Sequence, residues 1–350
     1  MTSLTLGTLT DPERHREPVD TTGTSDADLE RYLSSMLLIR HAEQCLAAGR
    51  KEGLIGGPVH LGVGQEAVAV GVSAELRSTD RVFGAHRSHS HVIALGSDVR
   101  ALFAEILGKE TGLSRGMGGS MHLWDGPRGF YGSVPIVAGT VPIAVGAAMA
   151  AKMQGTDDIG VAYLGDGALE EGVVHESLNL ARVVDAPVLF VVENNLFASH
   201  MHISLRQPTD ATARFAAANN IPFHIVDGND IVAVRKATAE LVARSRAGGG
   251  PGFLEAVTYR WYGHVDWRED IDVGVDRSAS TLADWRRRDP VRRLVAGMDA
   301  AGKKGSERLA ALDKEIGAKV AEAWKQAVAD PYPVAAALMD RVYHPSGAQR

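Results

Sequence analysis

Two apolar runs that each end in turn-forming polar residues constrain this chain more than any other feature. The first reads GVAYLGDGALEEG from Gly160 and the second APVLFVVENN from Ala186, with a helix-patterned stretch between them. A short apolar run bounded by turn residues reads as a buried strand. Strand, helix and strand in succession make a parallel pair, because the crossover returns the chain to its starting edge. Both strands therefore deliver their terminal polar groups, Gly165-Asp166-Gly167 and Glu193-Asn194-Asn195, to one edge of a sheet.

That edge has a definite chemistry. A glycine turn between strand and helix lets a ligand approach the backbone closely, and the helix start offers free N–H groups and a positive dipole end. Phosphate suits such a place. Asp166 and Asn195 pair an anionic with a neutral oxygen donor, which suits Mg2+, a hard cation that draws its other ligands from phosphate and water. Gly-Asp-Gly and Asn-Asn are also ordinary turn formers. Their pairing at two strand ends is what favours a site for a metal and a diphosphate.

The remaining pattern predicts an α/β fold, a mostly parallel sheet with helices on both faces. Further strands are expected at 81–84, 159–164, 223–226 and 253–259, with helices alternating between them. Ser25 or Asp26 can cap a helix running to about Gly49, whose apolar positions recur every three or four residues. Residues 1–25, rich in Thr, Asp and Pro, read as a mobile tail without the apolar run of a signal peptide. Residues 26–289 form the main domain and 290–350 a peripheral helical segment. The chain is 45% hydrophobic and 23% charged over 350 residues, a globular balance. Its net charge of -6 gives nucleic-acid binding no electrostatic support. The longest apolar stretch, 136–151, is too short to span a bilayer. One cysteine, Cys45, excludes an intrachain disulfide and fits a reducing, cytoplasmic setting.

The paired GDG and NN turns resemble the binding motif of thiamine-diphosphate enzymes. The text around them, including HLGVGQEA, GGSMH and YRWYGH, resembles the alpha subunit of the decarboxylating first component of 2-oxo acid dehydrogenases, the pyruvate, branched-chain and acetoin enzymes. The resemblance runs from about Leu29 to Leu338 and implies the thiamine-diphosphate-binding fold. It implies that Asp166, Asn195 and the Phe197 carbonyl hold Mg2+, while Gly165, Gly167, Ala168, Arg87 and His264 contact the cofactor's diphosphate end. In the turn AHRSHSH, Arg87 and His89 match the family's Tyr-Arg-x-His, and His86 stands where the tyrosine would be. A zinc site of His86, His89 and His91 is a weaker reading of that turn, since no familiar ligand spacing accompanies it. By position, the Pro135 carbonyl and Val137 would support the aminopyrimidine and the bend of the cofactor. His264, His89 and His122 are the candidate catalytic histidines, His122 on the substrate side and His264 near the reacting carbon.

The same resemblance implies oxidative decarboxylation of a 2-oxo acid, or cleavage of acetoin, with transfer of the acyl group to a lipoyl-bearing acyltransferase partner. In this family the glutamate that drives cofactor tautomerisation belongs to a beta subunit, so the chain is expected to hold half of an active site in a heterotetramer of two alpha and two beta chains. Small residues at helical spacing, Gly146, Ala147 and Ala150, are the candidate interface. The family's regulated relatives continue YRYxGH with SMSDP, whereas this chain continues with VDWRED, so phosphorylation there is not expected. Two alternatives stand beside this reading: a transketolase-like half acting on sugars, which would share the GDG and NN turns, and a noncatalytic diphosphate-binding module, which the GDG turn alone permits.

Overall fold

The computed structural model describes residues 4–271 and 277–342. Ser25 begins α1 (Asp26–Lys51) by accepting from the Asp28 N–H, and acids in its first turn with Arg50 and Lys51 in its last complement the helix dipole. There follow α2 (Glu66–Ser73), β1 (Arg81–Gly84), α3 (His89–Ala94), α4 (Val99–Ile106), β2 (Phe130–Ser133), α5 (Val141–Gln154) and β3 (Gly160–Gly165). The chain continues through α6 (Gly172–Val183), β4 (Val188–Asn194), a small hairpin of β5 (Phe197–Ala198) and β6 (Met201–His202), α7 (Ala213–Ala218) and β7 (Phe223–Asp227). It ends with α8 (Ile231–Arg244), β8 (Gly252–Val257), α9 (Ala279–Arg286), α10 (Pro290–Ala300), α11 (Gly305–Ala329) and α12 (Ala337–Val342).

Six strands form one parallel sheet in the order β2-β1-β3-β4-β8-β7. The apolar runs split between its faces with the two-residue period of a strand. Val161, Tyr163, Leu189 and Val191 join one core beneath α1, α2, α8 and α10. Ala162, Leu164, Phe190 and Val192 join the other, beneath α5, α6 and α7. A strand buried on both faces must be apolar throughout, which is why these runs do not alternate.

The register aligns the strands' C-terminal ends: Gly84 lies opposite Ser133, Gly165 opposite Glu193 and Asn194 opposite Val257. After β1 the chain first builds β2 on one side and then β3 on the other. The crevice between β1 and β3 is therefore the switch point where open α/β sheets bind ligands.

Two expectations are corrected. The N-terminal segment packs as part of the body: Leu6 and Val19 are buried, Arg288 donates to the carbonyls of Leu9 and Asp11, and Arg293 donates to that of Glu17. Polar composition suggested a tail, but buried arginines supply its backbone with partners. The C-terminal helices are not peripheral either, since Ile316, Val320 and Ala327 of α11 enter the main core against α1 and α4. β2 lies in a stretch that showed no strand period, and parallel pairing with β1 stabilises it.

Candidate active site

Each strand entering the switch point ends in a turn that aims backbone or polar side chains into one cavity of about 390 Å3. From β1 come Ala85, His86 and Arg87; from β3, Gly165, Asp166, Gly167 and Ala168; from β4, Glu193, Asn195 and Phe197. Val137 and Thr140 close one side, and His264 reaches in from the segment after β8. Residues 166–170 form a single tight helical turn before α6 begins, so Gly167 and Ala168 open that turn. Gly167 cannot carry a side chain, because a Cβ there would lie 2.6 Å from the Cβ of Ala198. Ala138 and Leu196 adopt φ of 59° and 71°, left-handed conformations that cost energy in residues with a Cβ and that collect at functional sites.

Asp166 is buried and ion-paired to Arg206, which also pairs with Glu170. Burial raises its carboxyl above the usual range against the lowering pull of Arg206. Asn195 donates to Gln65 Oε1 at 3.2 Å, and its Oδ1 accepts from the Phe197 N–H at 3.3 Å. Asp166, Asn195 and Phe197 thus line the cavity, with the Arg206 guanidinium bonded to Asp166.

Buried positive charge lies close to the cavity. Arg87 is buried and donates to the carbonyls of Leu61 at 2.6 Å and His264 at 3.1 Å, and burial pulls it down to about 10. Burial, then Arg87 and Arg277, pull Arg260 down to about 9. Both still carry charge at neutral pH, so the site favours an anion. Around them His60, His86 and His264 meet ring to ring, with centroids 4.6 to 5.3 Å apart.

The remaining expected residues are dispersed. His89 is fully buried outside the cavity walls, with Nε2 2.9 Å from Ser120 Oγ and Nδ1 3.4 Å from Glu43. His122 lies on the outer surface of the glycine-rich loop, with Nδ1 3.2 Å from the Gly118 carbonyl. Pro135 adjoins the exposed Ile136 and Val137 at the cavity mouth. His91 lines the cavity, stacks on Tyr163 at 3.7 Å and lies 3.2 Å from Glu193. His86, His89 and His91 diverge to three separate sets of partners, which removes them as one zinc site. Cys45 sits half-buried, and burial pushes its thiol up to about 11, which leaves it protonated and unreactive at neutral pH.

Gln65, Glu193, Arg206 and His60 were not anticipated. Gln65 and His60 stand in HLGVGQEA, which carries part of the family resemblance without a role being assigned to either residue, and Glu193 stands inside VVENN itself. Nothing in the sequence distinguishes Arg206 from other loop arginines.

The family described as the dehydrogenase E1 component matches residues 34–336. The alpha subunit of acetoin:2,6-dichlorophenolindophenol oxidoreductase from Cupriavidus necator is 38% identical over 309 residues, 88% of this chain and 92% of the relative. The protein of that name from Bacillus subtilis is 45% identical over 231 residues, 66% of this chain and 69% of the relative. The pyruvate dehydrogenase E1 component subunit alpha of Rhizobium meliloti is 37% identical over 311 residues, 89% of this chain and 88% of the relative. Such a match over most of the sheet and both of its helical layers leaves one assignment: the chain belongs to the dehydrogenase E1 component family, as an alpha subunit of a thiamine-diphosphate-dependent 2-oxo acid dehydrogenase.

Proposed function

We propose that this chain supplies the cofactor-anchoring half of a thiamine-diphosphate- and Mg2+-dependent enzyme that decarboxylates a 2-oxo acid or cleaves acetoin. A beta subunit completes the site and a lipoyl-bearing acyltransferase receives the acyl group. The observation that carries this reading is the single cavity that gathers the GDG turn, Asn195, Phe197, Arg87 and His264 from three strand ends and a distant loop. A cytoplasmic setting fits the lone protonated thiol, and no helix among the described residues is long and apolar enough to cross a membrane. Membership of a dehydrogenase family argues against the sugar-transferring and noncatalytic alternatives.

The residues fit the group. The side-chain oxygens of Asp166 and Asn195 with the Phe197 carbonyl form an all-oxygen donor set suited to Mg2+. The Gly167 and Ala168 N–H groups, Arg87, His86 and His264 are donors suited to diphosphate, and among the described residues no carboxylate is bonded to the buried Arg87. Val137 and the Pro135 carbonyl would support the ring end. When bound, the cofactor supplies an electron sink for decarboxylation. The chain's own part is to orient, to neutralise phosphate charge and to exclude water. At neutral pH the His264 ring is uncharged, with one nitrogen carrying its N–H and the other bare, because burial, ahead of Arg87, holds the ring at about 4. It can therefore accept a proton or donate its single N–H. His122 is proposed on the substrate side and His89 as the residue that fixes Ser120 of the glycine-rich loop.

The half-site is supported by the carboxylates present. Of the four carboxylates lining the cavity, Asp166 and Glu170 are held by Arg206, Glu193 lies against His91 and Glu171 is exposed to solvent, while Ile136 and Val137 are 71% and 50% exposed, where another subunit would cover them. The purified chain alone should be silent with an artificial electron acceptor across a panel of 2-oxo acids and acetoin. Adding the cognate beta chain, thiamine diphosphate and Mg2+ should restore turnover. Robust turnover by the chain alone would refute the half-site.

A further inference from the structure

His86, the residue that departs from the family's turn, forms part of a cluster. Ligating nitrogens of His60, His86 and His264 all lie within 4.8 Å of one another, although the three come from the loop before α2, the turn after β1 and the segment after β8. His60 is buried, and among the described residues its Nδ1 has no hydrogen-bond partner. A buried ring nitrogen without a partner is costly and marks a place for a ligand. Burial, ahead of the neighbouring Arg87, holds His60 at about 3 and His86 at about 2, so their lone pairs meet no competition from protons at neutral pH.

We propose that His60, His86 and His264 bind one borderline-soft divalent cation such as Zn2+, with an open fourth position, in competition with the cofactor's diphosphate. Zn–N bonds of about 2.0–2.1 Å place tetrahedral nitrogens roughly 3.4 Å apart, so ring shifts on the order of an ångström close the cluster. Mg2+ does not compete for it, because hard cations prefer oxygen and imidazole selects transition metals. The charged groups facing the cluster set its terms. Arg87 and Arg260 oppose a cation. Asp270, which accepts from the His264 backbone N–H at 2.8 Å and lies 3.1 Å from His200 Nε2, offsets them in part. An anion in the fourth position offsets the rest. Competition follows from the nitrogens themselves: one that gives its lone pair to a metal cannot present an N–H to phosphate. This last element rests on the proposed diphosphate role of His86 and His264, whereas metal uptake does not.

The test titrates the full chain, in excess Mg2+, with Zn2+ against a chromophoric chelator and with Co2+ by visible absorption. One Zn2+ per chain is expected, with the intense bands of tetrahedral Co2+. His86→Phe and His60→Asn, checked for folding by circular dichroism, should each weaken uptake at least about 100-fold, beyond what loss of an outer-shell partner costs. Thiamine diphosphate should release the metal. Unchanged uptake in folded variants, or wild-type chain without the Co2+ bands, overturns the metal site whatever the variants do. Metal retained alongside bound thiamine diphosphate overturns the competition. A chain that takes up Zn2+ but never thiamine diphosphate supports the metal site and overturns the cofactor reading instead.

Discussion

At the scale of single residues, two buried carboxylates show how differently one group can be used. Asp166 lines the cavity and is ion-paired to the buried Arg206, which a metal at this site would have to share or displace. In the reconstituted alpha and beta pair, Asp166→Ala or Asn195→Ala should weaken Mg2+-dependent cofactor binding by more than roughly 100-fold, since first-shell ligands outweigh the partners behind them. Unchanged affinity by calorimetry would remove the metal assignment. Glu105 is fully buried and structural: it accepts from the N–H groups of Ser114 at 2.6 Å, Gly116 at 3.0 Å, Gly118 at 2.7 Å and Gly119 at 3.1 Å. It thereby gives the glycine-rich loop a shape that its composition could not specify. Glu105→Ala strands several buried donors and should lower stability by about 2–4 kcal/mol, allowing for partial rehydration. Urea unfolding checks the loss, and limited proteolysis at 112–122 should accelerate; a change within about 0.5 kcal/mol, the scatter of ordinary surface substitutions, would contradict it.

Among the elements, helices are held to one another through buried ions as well as apolar contact. Arg40 of α1 bonds Glu66 of α2 and Asp289, the N-terminal cap of α10, all in the core beneath Trp261. Removing one partner leaves charges buried without compensation, so Arg40→Ala should cost about 3–5 kcal/mol in thermal or urea unfolding. A replacement as well tolerated as a surface arginine would show that water reaches these carboxylates. Such clamps explain what periodicity could and could not reveal. β3 and β4 were legible because strands buried on both faces leave continuous apolar runs. α1 was legible through its spacing and its Ser25 cap. β2 and the β5–β6 hairpin were not, because two to four residues carry too little pattern and their pairing depends on neighbours distant in sequence.

For the whole molecule, the unused surface of α5 is informative. Its Val141, Ala144, Val145, Ala148 and Ala151 face the core, which leaves Ile143, Gly146 and Met153 exposed on the other side, with nothing within 4 Å of a Cβ built on Gly146. A helix apolar on both sides is one that expects cover. Gly146→Phe should leave the chain's own unfolding midpoint unchanged or slightly higher, because glycine is a poor helix former, and should abolish assembly with the beta chain by size-exclusion chromatography. Normal assembly would place the interface elsewhere. The sequence by itself determined the alternation of strand and helix, the polar ends of β3 and β4, and through them the metal and phosphate chemistry of one edge, because period and turn chemistry are local properties. Only the tertiary structure decided which residues share that edge. It brought His60 and His264 to His86, sent His89 to Glu43 and Ser120, set Arg206 on Asp166, and drew the N-terminal segment into the body. Those contacts join positions separated by tens to hundreds of residues, and no local pattern records them, since they follow from how the layers close around the sheet.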